Sequence, residues 1–300
     1  MTATAITLIT ISVIAHAGWN LVSKRQPSVA FFLVAMTTSA LVLAPLTFYN
    51  RTLWAWTPPA AWAMVALTGL FQAIYFAGVT GAYRHGDMSL AYPMLRSLPV
   101  LLIAGISFGL GRGEQISHLG LLGMLIVAAG CMLLPLKSLR DVHWRDYLAL
   151  CCLLALVAAL GTTGYTMIDD EALRRLRRGL PWLSKTNITL YYIGLQTIST
   201  SLWVMLFVLI LPHERQRLRQ LWQRGWQQAA LSGLVISGAY GLVMAAMSYV
   251  HNVSYVAAFR QMSIPLGALL GIFWLKEPRY WPKLLGVAAV STGLVLVALF

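Results

Sequence analysis

Apolar runs alternate with short polar breaks along the whole chain. Ten runs are each long enough to cross a bilayer as an α-helix, which takes about 20 residues. They cover residues 2–22, 29–49, 60–83, 87–110, 115–136, 147–168, 187–211, 228–250, 253–275 and 280–299. Most breaks are only a few residues long, so successive helices are predicted to be antiparallel. The pattern predicts an all-α membrane protein with ten transmembrane helices.

Two polar segments are longer than the other breaks. One follows predicted helix 6, runs from Asp169 to Lys185 and carries four arginines. The other is a basic stretch over residues 213–228, with Trp222 and Trp226 on roughly the same face as two leucines. That spacing predicts a short helix in the membrane interface with aromatic anchors. Both segments are expected to face water and lipid headgroups rather than to form sites.

The composition agrees with a chain that lies mostly in lipid. Hydrophobic residues make up 59% of the sequence and charged residues 10%, whereas soluble domains carry about 25% charged residues. The net charge of +13 arises from 22 basic and 9 acidic residues. Because the basic residues are spread over many short loops, they suit contact with anionic headgroups and argue against nucleic-acid binding.

The sequence of the first half recurs in the second half. The matches at shifts of 166 and then 163 residues are Ser97 with Ser263, Pro99 with Pro265, Gly105 with Gly271, Gly123 with Gly286, and Gly130 with Gly293. The repeated unit contains five predicted helices, over residues 1–140 and again over 141–300. An odd number of helices sends the second unit into the membrane from the opposite side. The expected architecture is therefore two inverted repeats, which in secondary transporters place the substrate site at the midplane.

Two arginines lie inside apolar runs. Placing an arginine at the centre of a membrane helix costs about 2.5–3.5 kcal/mol, and such residues commonly mark substrate pathways. Arg96 is about eight residues into predicted helix 4 and Arg260 about seven into predicted helix 9, so both are roughly 10–14 Å deep. Each guanidinium could bind a carboxylate or a phosph(on)ate through two hydrogen bonds. Alternatively, each could hold helices together through backbone carbonyls.

Other polar and aromatic residues could line the same cavity. His16, Trp19 and Asn20 share one face of predicted helix 1, because they are spaced i, i+3 and i+4. Tyr92 precedes Arg96 by one turn, and Tyr165 takes the place of Trp19 at a shift of 146 residues. The predicted substrate-binding set is Arg96, Arg260, Asn20, His16, Trp19, Tyr92 and Tyr165. The alternative for Asn20 and His16 is hydrogen bonding between helices.

Several motifs resemble those of a known transporter family. They are His16-Ala-Gly-Trp-Asn20, Ala91-Tyr-Pro-Met-Leu-Arg96, Tyr255-Val-Ala-Ala-Phe-Arg260 and Leu275-Lys-Glu277. Over essentially its whole length the chain resembles the EamA-type ten-helix proteins of the drug/metabolite transporter superfamily. The motifs are similar to those of a subgroup associated with small metabolites, including phosphonate-related compounds. The resemblance implies a permease of the bacterial inner membrane with a cytoplasmic N-terminus. The positive-inside rule favours the reverse orientation, so sidedness stays open.

The motifs of enzymes and of ATP-driven pumps are missing from the sequence. It contains no P-loop and no zinc-protease or nucleophile-elbow motif, and its three cysteines lie in apolar runs. We therefore expect no enzymatic activity, no cofactor and no metal site. No Asp or Glu falls in the middle of a predicted helix, so the sequence identifies no coupling ion.

The function predicted from these features is secondary transport. The substrate would be a small anionic or zwitterionic metabolite, such as an amino acid, an organic acid or a phosphonate-like compound, moved by alternating access. The expected partners are that substrate and the lipid bilayer, with the chain acting as a monomer and without nucleic acid. A flippase for a lipid-linked small molecule is the alternative, and an intramembrane enzyme is a weaker one.

Overall fold

A computed structural model describes residues 3–109, 117–140, 147–247 and 262–299. These residues form helices and contain no strand, which confirms the predicted all-α class. The helices are α1 Ala3–Arg25, α2 Val29–Tyr49, a 3₁₀ helix Arg51–Trp56, α3 Pro59–His85, α4 Met88–Gly109, α5 His118–Leu133, α6 Leu150–Gly179, α7 Lys185–Ile210, α8 Pro212–Gln223, α9 Trp226–Met247, α10 Ser263–Trp274 and α11 Trp281–Leu299.

Several helices have the length and surface of membrane spans. Among the described residues, α1, α2, α3, α6 and α7 are long and apolar enough to cross a bilayer, and shorter apolar helices accompany them. Large apolar side chains such as Leu41, Leu160 and Leu209 are at least half exposed. Extended apolar surface of this kind is unusual on soluble monomers. These features are those of a membrane protein.

Helix α6 is longer than the sequence predicted. A link was expected from residue 169 onwards, but the helix continues through the arginine-rich segment, and Asp169 lies within it. Glu171 forms ion pairs with Arg174 at 3.3 Å and with Arg175 at 2.7 Å. Pairs at these spacings stabilise a helix, and Leu176 of the same segment is buried. Local pairing and packing therefore extend the helix beyond the apolar run.

The basic stretch after α7 forms the expected short helix, α8. Leu221 is buried, whereas Trp222 is exposed and its ring lies 5.9 Å from that of Trp226. The side chain of Glu214 is fully buried and accepts a hydrogen bond at 3.1 Å from the backbone N–H of Ala30, at the start of α2. A carboxylate at a helix N-terminus is stabilised by the unpaired N–H groups there. Glu214 thus attaches α8 to α2.

The chain divides into two compact units. The first comprises Met1–Pro27, Val79–Ala159 and Val235–Phe300, and the second comprises Ser28–Gly78 and Leu160–Leu234. Each unit draws segments from both predicted repeats. The division of the sequence into repeats 1–140 and 141–300 is a different one and stays a prediction.

In the first unit, α5 and α11 touch backbone to backbone through glycines. A Cβ added to Gly123 would lie 2.7 Å from the carbonyl oxygen of Gly293, and one added to Gly130 would lie 2.9 Å from that of Gly286. The pairing makes the two helices antiparallel. In the sequence repeat, Gly123 corresponds to Gly286 and Gly130 to Gly293. Gly123 therefore contacts the repeat equivalent of Gly130, and Gly130 contacts the repeat equivalent of Gly123. Such exchanged contacts are typical of a two-fold relationship.

A carboxylate sets the register of α4 against α10, also in the first unit. Glu277 accepts hydrogen bonds from the backbone N–H groups of Met88, at 2.6 Å, and Ser89, at 2.8 Å. These are unpaired donors in the first turn of α4. Lys276 has a φ of 58°, and this left-handed residue after α10 turns the chain so that Glu277 points back to α4. A Cβ at Gly271 would lie 2.5 Å from the Glu277 carboxylate, so glycine is required there.

The second unit packs α3, α6 and α7 around a shared core that includes Tyr191 and Tyr192. A Cβ at Gly161 of α6 would lie 2.7 Å from the backbone nitrogen of Tyr75 of α3. This glycine lets the two backbones approach closely, as small residues do between membrane helices. The approach brings polar side chains of α3, α6 and α7 within hydrogen-bonding distance.

Candidate functional site

Arg96 lies in α4 of the first unit, and its side chain is half-buried. Its Nε atom is buried and has no hydrogen-bond partner among the residues that the structure describes. It also forms no ion pair with any carboxylate in those ranges. A buried donor left without a partner costs about 1–3 kcal/mol, and more when it is charged. The guanidinium is therefore available to an anion.

Tyr92 lies one turn before Arg96 and is 1% exposed. Its hydroxyl also has no hydrogen-bond partner in the described part of the chain. The ring packs directly against Gly267 of α10, where any larger residue would collide with it. A second polar atom near Arg96 is thus buried and unsatisfied.

Ser263 of α10 supplies a third atom of this kind. Its side chain is 0% exposed, and its Oγ has no partner in the described ranges. Along the antiparallel pair of helices, Gly271 approaches the backbone nitrogen of Ser89, and Gly267 contacts Tyr92. One further turn in each helix places Ser263 level with Arg96, since a turn rises about 5.4 Å. We call Tyr92, Arg96 and Ser263 the Arg96 cluster.

Sequence reasoning missed Ser263. The available signal was its equivalence to Ser97 in the repeat, but the two serines differ in their bonding. Ser97 donates a hydrogen bond at 2.8 Å to the Pro93 carbonyl and lies 2.9 Å from the Cys131 sulfur. Ser97 is therefore satisfied inside the protein, whereas Ser263 finds no partner among the described residues.

The predicted residues of α1 lie within the first unit. Asn20 is 3% exposed; its Nδ2 donates to the His16 carbonyl at 2.8 Å and its Oδ1 accepts from the Tyr83 hydroxyl at 2.7 Å. The His16 Nδ1 lies 3.0 Å from the Ser12 carbonyl, and Trp19 is buried. These contacts show a role for Asn20 between helices. Substrate binding by the three residues stays a prediction.

Lys24, one turn beyond Asn20, is also used structurally. Its Nζ donates hydrogen bonds to the carbonyls of Tyr83, at 2.7 Å, and Gly86 at the C-terminal end of α3. A cation is stabilised at this end of a helix, where carbonyl groups lack partners. Lys24 and Asn20 together hold α1 against α3.

For the other two predicted site residues, Arg260 and Tyr165, substrate binding stays a prediction. Arg260 lies outside the described residues. Tyr165 belongs to the second unit, where its ring makes an edge contact with Tyr75 at a centroid distance of 6.0 Å. Tyr165 belongs to the second unit because α6 passes from the first unit into the second after Ala159.

The second unit contains a carboxylate network that sequence reasoning also missed. Oδ1 of Asp169 accepts hydrogen bonds of 2.6 Å from both the Thr68 and Tyr192 hydroxyls, and Oδ2 accepts one of 2.7 Å from the Gln196 amide. We call these four residues the Asp169 network. The signal in the sequence was the i, i+4 pair of Glu171 and Arg175, which continues the helix past Asp169. Within the described ranges, no group of three His, Cys, Asp or Glu residues could hold a metal ion.

Comparisons with known proteins give little beyond this geometry. No family model and no curated protein matches the chain. One solved structure, described as "Crystal structure of protein", is similar at 15% sequence identity and a TM-score of 0.49, over 100% of this chain and 98% of that chain.

Proposed function

We propose that this chain is a secondary transporter in a bacterial inner membrane. Its proposed substrate is a small anionic or zwitterionic metabolite, such as an amino acid, an organic acid or a phosphonate-like compound. The observation that carries the proposal is the Arg96 cluster. Among the described residues, the half-buried guanidinium has an unpartnered Nε, and the buried hydroxyls of Tyr92, one turn away in α4, and Ser263, in the adjacent α10, also have no partner. Intramembrane charges of this kind commonly mark substrate pathways.

The chemistry of the cluster favours an anionic group. Arginine stays protonated in proteins, so the site carries a fixed positive charge that no described carboxylate neutralises. A carboxylate or phosph(on)ate would supply both the missing charge and acceptors for the guanidinium N–H groups. The hydroxyls of Tyr92 and Ser263 can donate to further oxygens of that group, or accept from the ammonium of a zwitterion.

Helix packing supports the proposed architecture of ten helices in two inverted repeats. Three pairs of helices that the sequence repeat makes equivalent pack against each other: α2 with α7, α4 with α10, and α5 with α11. The exchanged glycine contacts between α5 and α11 favour a two-fold relationship. In secondary transporters such repeats rock around a central site, which is the basis of alternating access. The resemblance of the chain's motifs to those of EamA-type transporters also supports ten helices in two inverted repeats.

A ligand screen on the purified protein tests the proposal. Amino acids, organic acids, phosphonates and quaternary ammonium cations are compared for their effect on thermal stability. A true ligand stabilises by about 2.7 kcal/mol when its concentration is roughly 100-fold above its Kd. We expect an anionic or zwitterionic compound to give the largest shift and to undergo counterflow exchange in proteoliposomes.

Charge-removing variants locate the site. Arg96→Gln should abolish both the thermal stabilisation by the ligand and its counterflow exchange, while the protein remains folded and monodisperse. Arg219→Gln is the matched control, because Arg219 is exposed on α8. The proposal fails if permanent cations are the best ligands, or if Arg96→Gln exchanges the anionic compound as well as Arg219→Gln does.

A further inference from the structure

The Asp169 network holds an acid that is not balanced by any positive charge of the described residues. Asp169 is half-buried within α6, and its three hydrogen-bond donors come from α3 and α7. Thr68 and Tyr192 are buried. All three donors are neutral, and no Lys, Arg or His of the described residues forms an ion pair with the carboxylate.

The surroundings of Asp169 contain few groups that can titrate. From α3, Gln72 is neutral and accepts a hydrogen bond at 3.0 Å from Thr200 of α7. From α7, Tyr192 donates its hydroxyl proton to the carboxylate in a hydrogen bond of 2.6 Å. On α6 itself, Tyr165 lies one turn before Asp169, and Glu171 is engaged with Arg174 and Arg175. An uncompensated carboxylate in a poorly hydrated site can be neutralised by a proton.

The network contains an acceptor for that proton, the side-chain carbonyl oxygen of Gln196. Thr68 and Tyr192 both donate to Oδ1, so among the described residues only Gln196 bonds Oδ2. The Gln196 amide also donates to the Thr68 hydroxyl oxygen at 3.4 Å. A proton from water would form an O–H bond on Oδ2 and displace the N–H···O bond from Gln196. Rotation of the Gln196 amide by half a turn would then present its carbonyl oxygen as the acceptor, since an amide has a donor end and an acceptor end. Gln196 can therefore bond Oδ2 in either protonation state, while its rotation breaks the 3.4 Å bond to the Thr68 hydroxyl oxygen.

We infer that Asp169 is a reversible proton-binding site and that its proton is the coupling ion of transport. The binding site follows from the network, and the coupling rests on the proposed function. Protonation changes the bonds that join α6 to α7, so it can bias the equilibrium between conformations of these helices.

Infrared difference spectroscopy on the purified protein tests proton binding without any substrate. Lowering the pH should produce a carboxylic-acid C=O band in the wild type that is missing in Asp169→Asn. The chain has only 9 acidic residues, so few other carboxyls contribute. Glu171→Gln, which removes a partly exposed acid from the same helix, should keep the band. Asp169→Glu should retain the band at a shifted position. Identical spectra for wild type and Asp169→Asn would overturn the proposal.

Transport in proteoliposomes tests coupling. With the anionic compound that gives the largest stabilisation, an inward proton gradient should raise uptake severalfold in the wild type and in Glu171→Gln. Asp169→Asn should lose this response but keep exchange without a gradient, which also shows that it folds. A response of Asp169→Asn equal to that of wild type, or uptake driven by a sodium gradient alone, would contradict proton coupling. Absence of exchange in the wild type would instead contradict the transporter proposal, while the infrared result still decides proton binding.

Discussion

The hydroxyl of Tyr83 donates a hydrogen bond of 2.7 Å to the side-chain oxygen of Asn20. The two residues are far apart in sequence, and the bond joins α1 to the C-terminal part of α3 in the first unit. Because the Asn20 amide nitrogen is bonded to His16, both ends of this amide are used inside the protein. Asn20 therefore has a structural role, whatever it contributes to substrate binding.

Asn20→Ala should destabilise the protein without ligand by about 1–3 kcal/mol, because it removes the buried hydrogen bond that the Tyr83 hydroxyl donates to Asn20. Adding Tyr83→Phe removes that hydroxyl. The free energy of unfolding lost in the double variant should therefore be smaller than the sum of the losses in the two single variants. Chemical unfolding of the four proteins in detergent measures the coupling. Strictly additive losses would show that the bond contributes nothing to stability. A separate loss of affinity for the stabilising anion would assign Asn20 to the site as well.

Glu277→Ala should destabilise the first unit by about 2–3 kcal/mol, because two N–H groups at the start of α4 lose a charged acceptor. Glu277→Gln keeps one acceptor oxygen and should therefore lose less stability than Glu277→Ala. The melting temperature of each variant is compared with that of Glu171→Gln, whose side chain is partly exposed and pairs only with surface arginines. Equal melting temperatures for Glu277→Ala and Glu171→Gln would contradict the capping role.

Gly293→Ala should destabilise the pair formed by α5 and α11. The added Cβ would lie 2.6 Å from the carbonyl oxygen of Gly123, and overpacking of this kind typically costs about 1–3 kcal/mol. The same substitution at Gly238 of α9 is the matched control, since a Cβ there meets nothing within 4 Å. Gly238→Ala should be neutral or stabilising by about 0.5–1 kcal/mol, because alanine suits a helix better than glycine. Thermal unfolding that ranks the two variants in the opposite order would exclude the close contact.

Single cysteines at positions 3 and 299 should be labelled from the same side of the membrane. The proposed ten helices, five in each repeat, would place both termini on one face of the membrane. The natural cysteines, Cys131, Cys151 and Cys152, are buried, so a membrane-impermeant reagent should give little background. Labelling of the two positions from opposite sides would rule out the ten-helix arrangement.

The sequence by itself determined where most helices lie. The bilayer requires about 20 apolar residues per span, and this length shows directly as apolar runs, so α1, α2 and α3 begin and end within a few residues of their predicted bounds. It also determined that Tyr92 and Arg96 are one turn apart, because that spacing belongs to a single helix. Part of the candidate site could therefore be found from local periodicity.

Only the tertiary structure decided which partners these residues meet. Ser263 is level with Arg96 because Glu277 and Gly267 set the register of α10 against α4, and no periodicity within either helix specifies that register. Asp169 became part of a network because ion pairs and packing extend α6 and because Gly161 brings α3 close to it. Hydrogen bonds between helices depend on side chains distant in sequence, so their donors and acceptors are matched only when the helices pack.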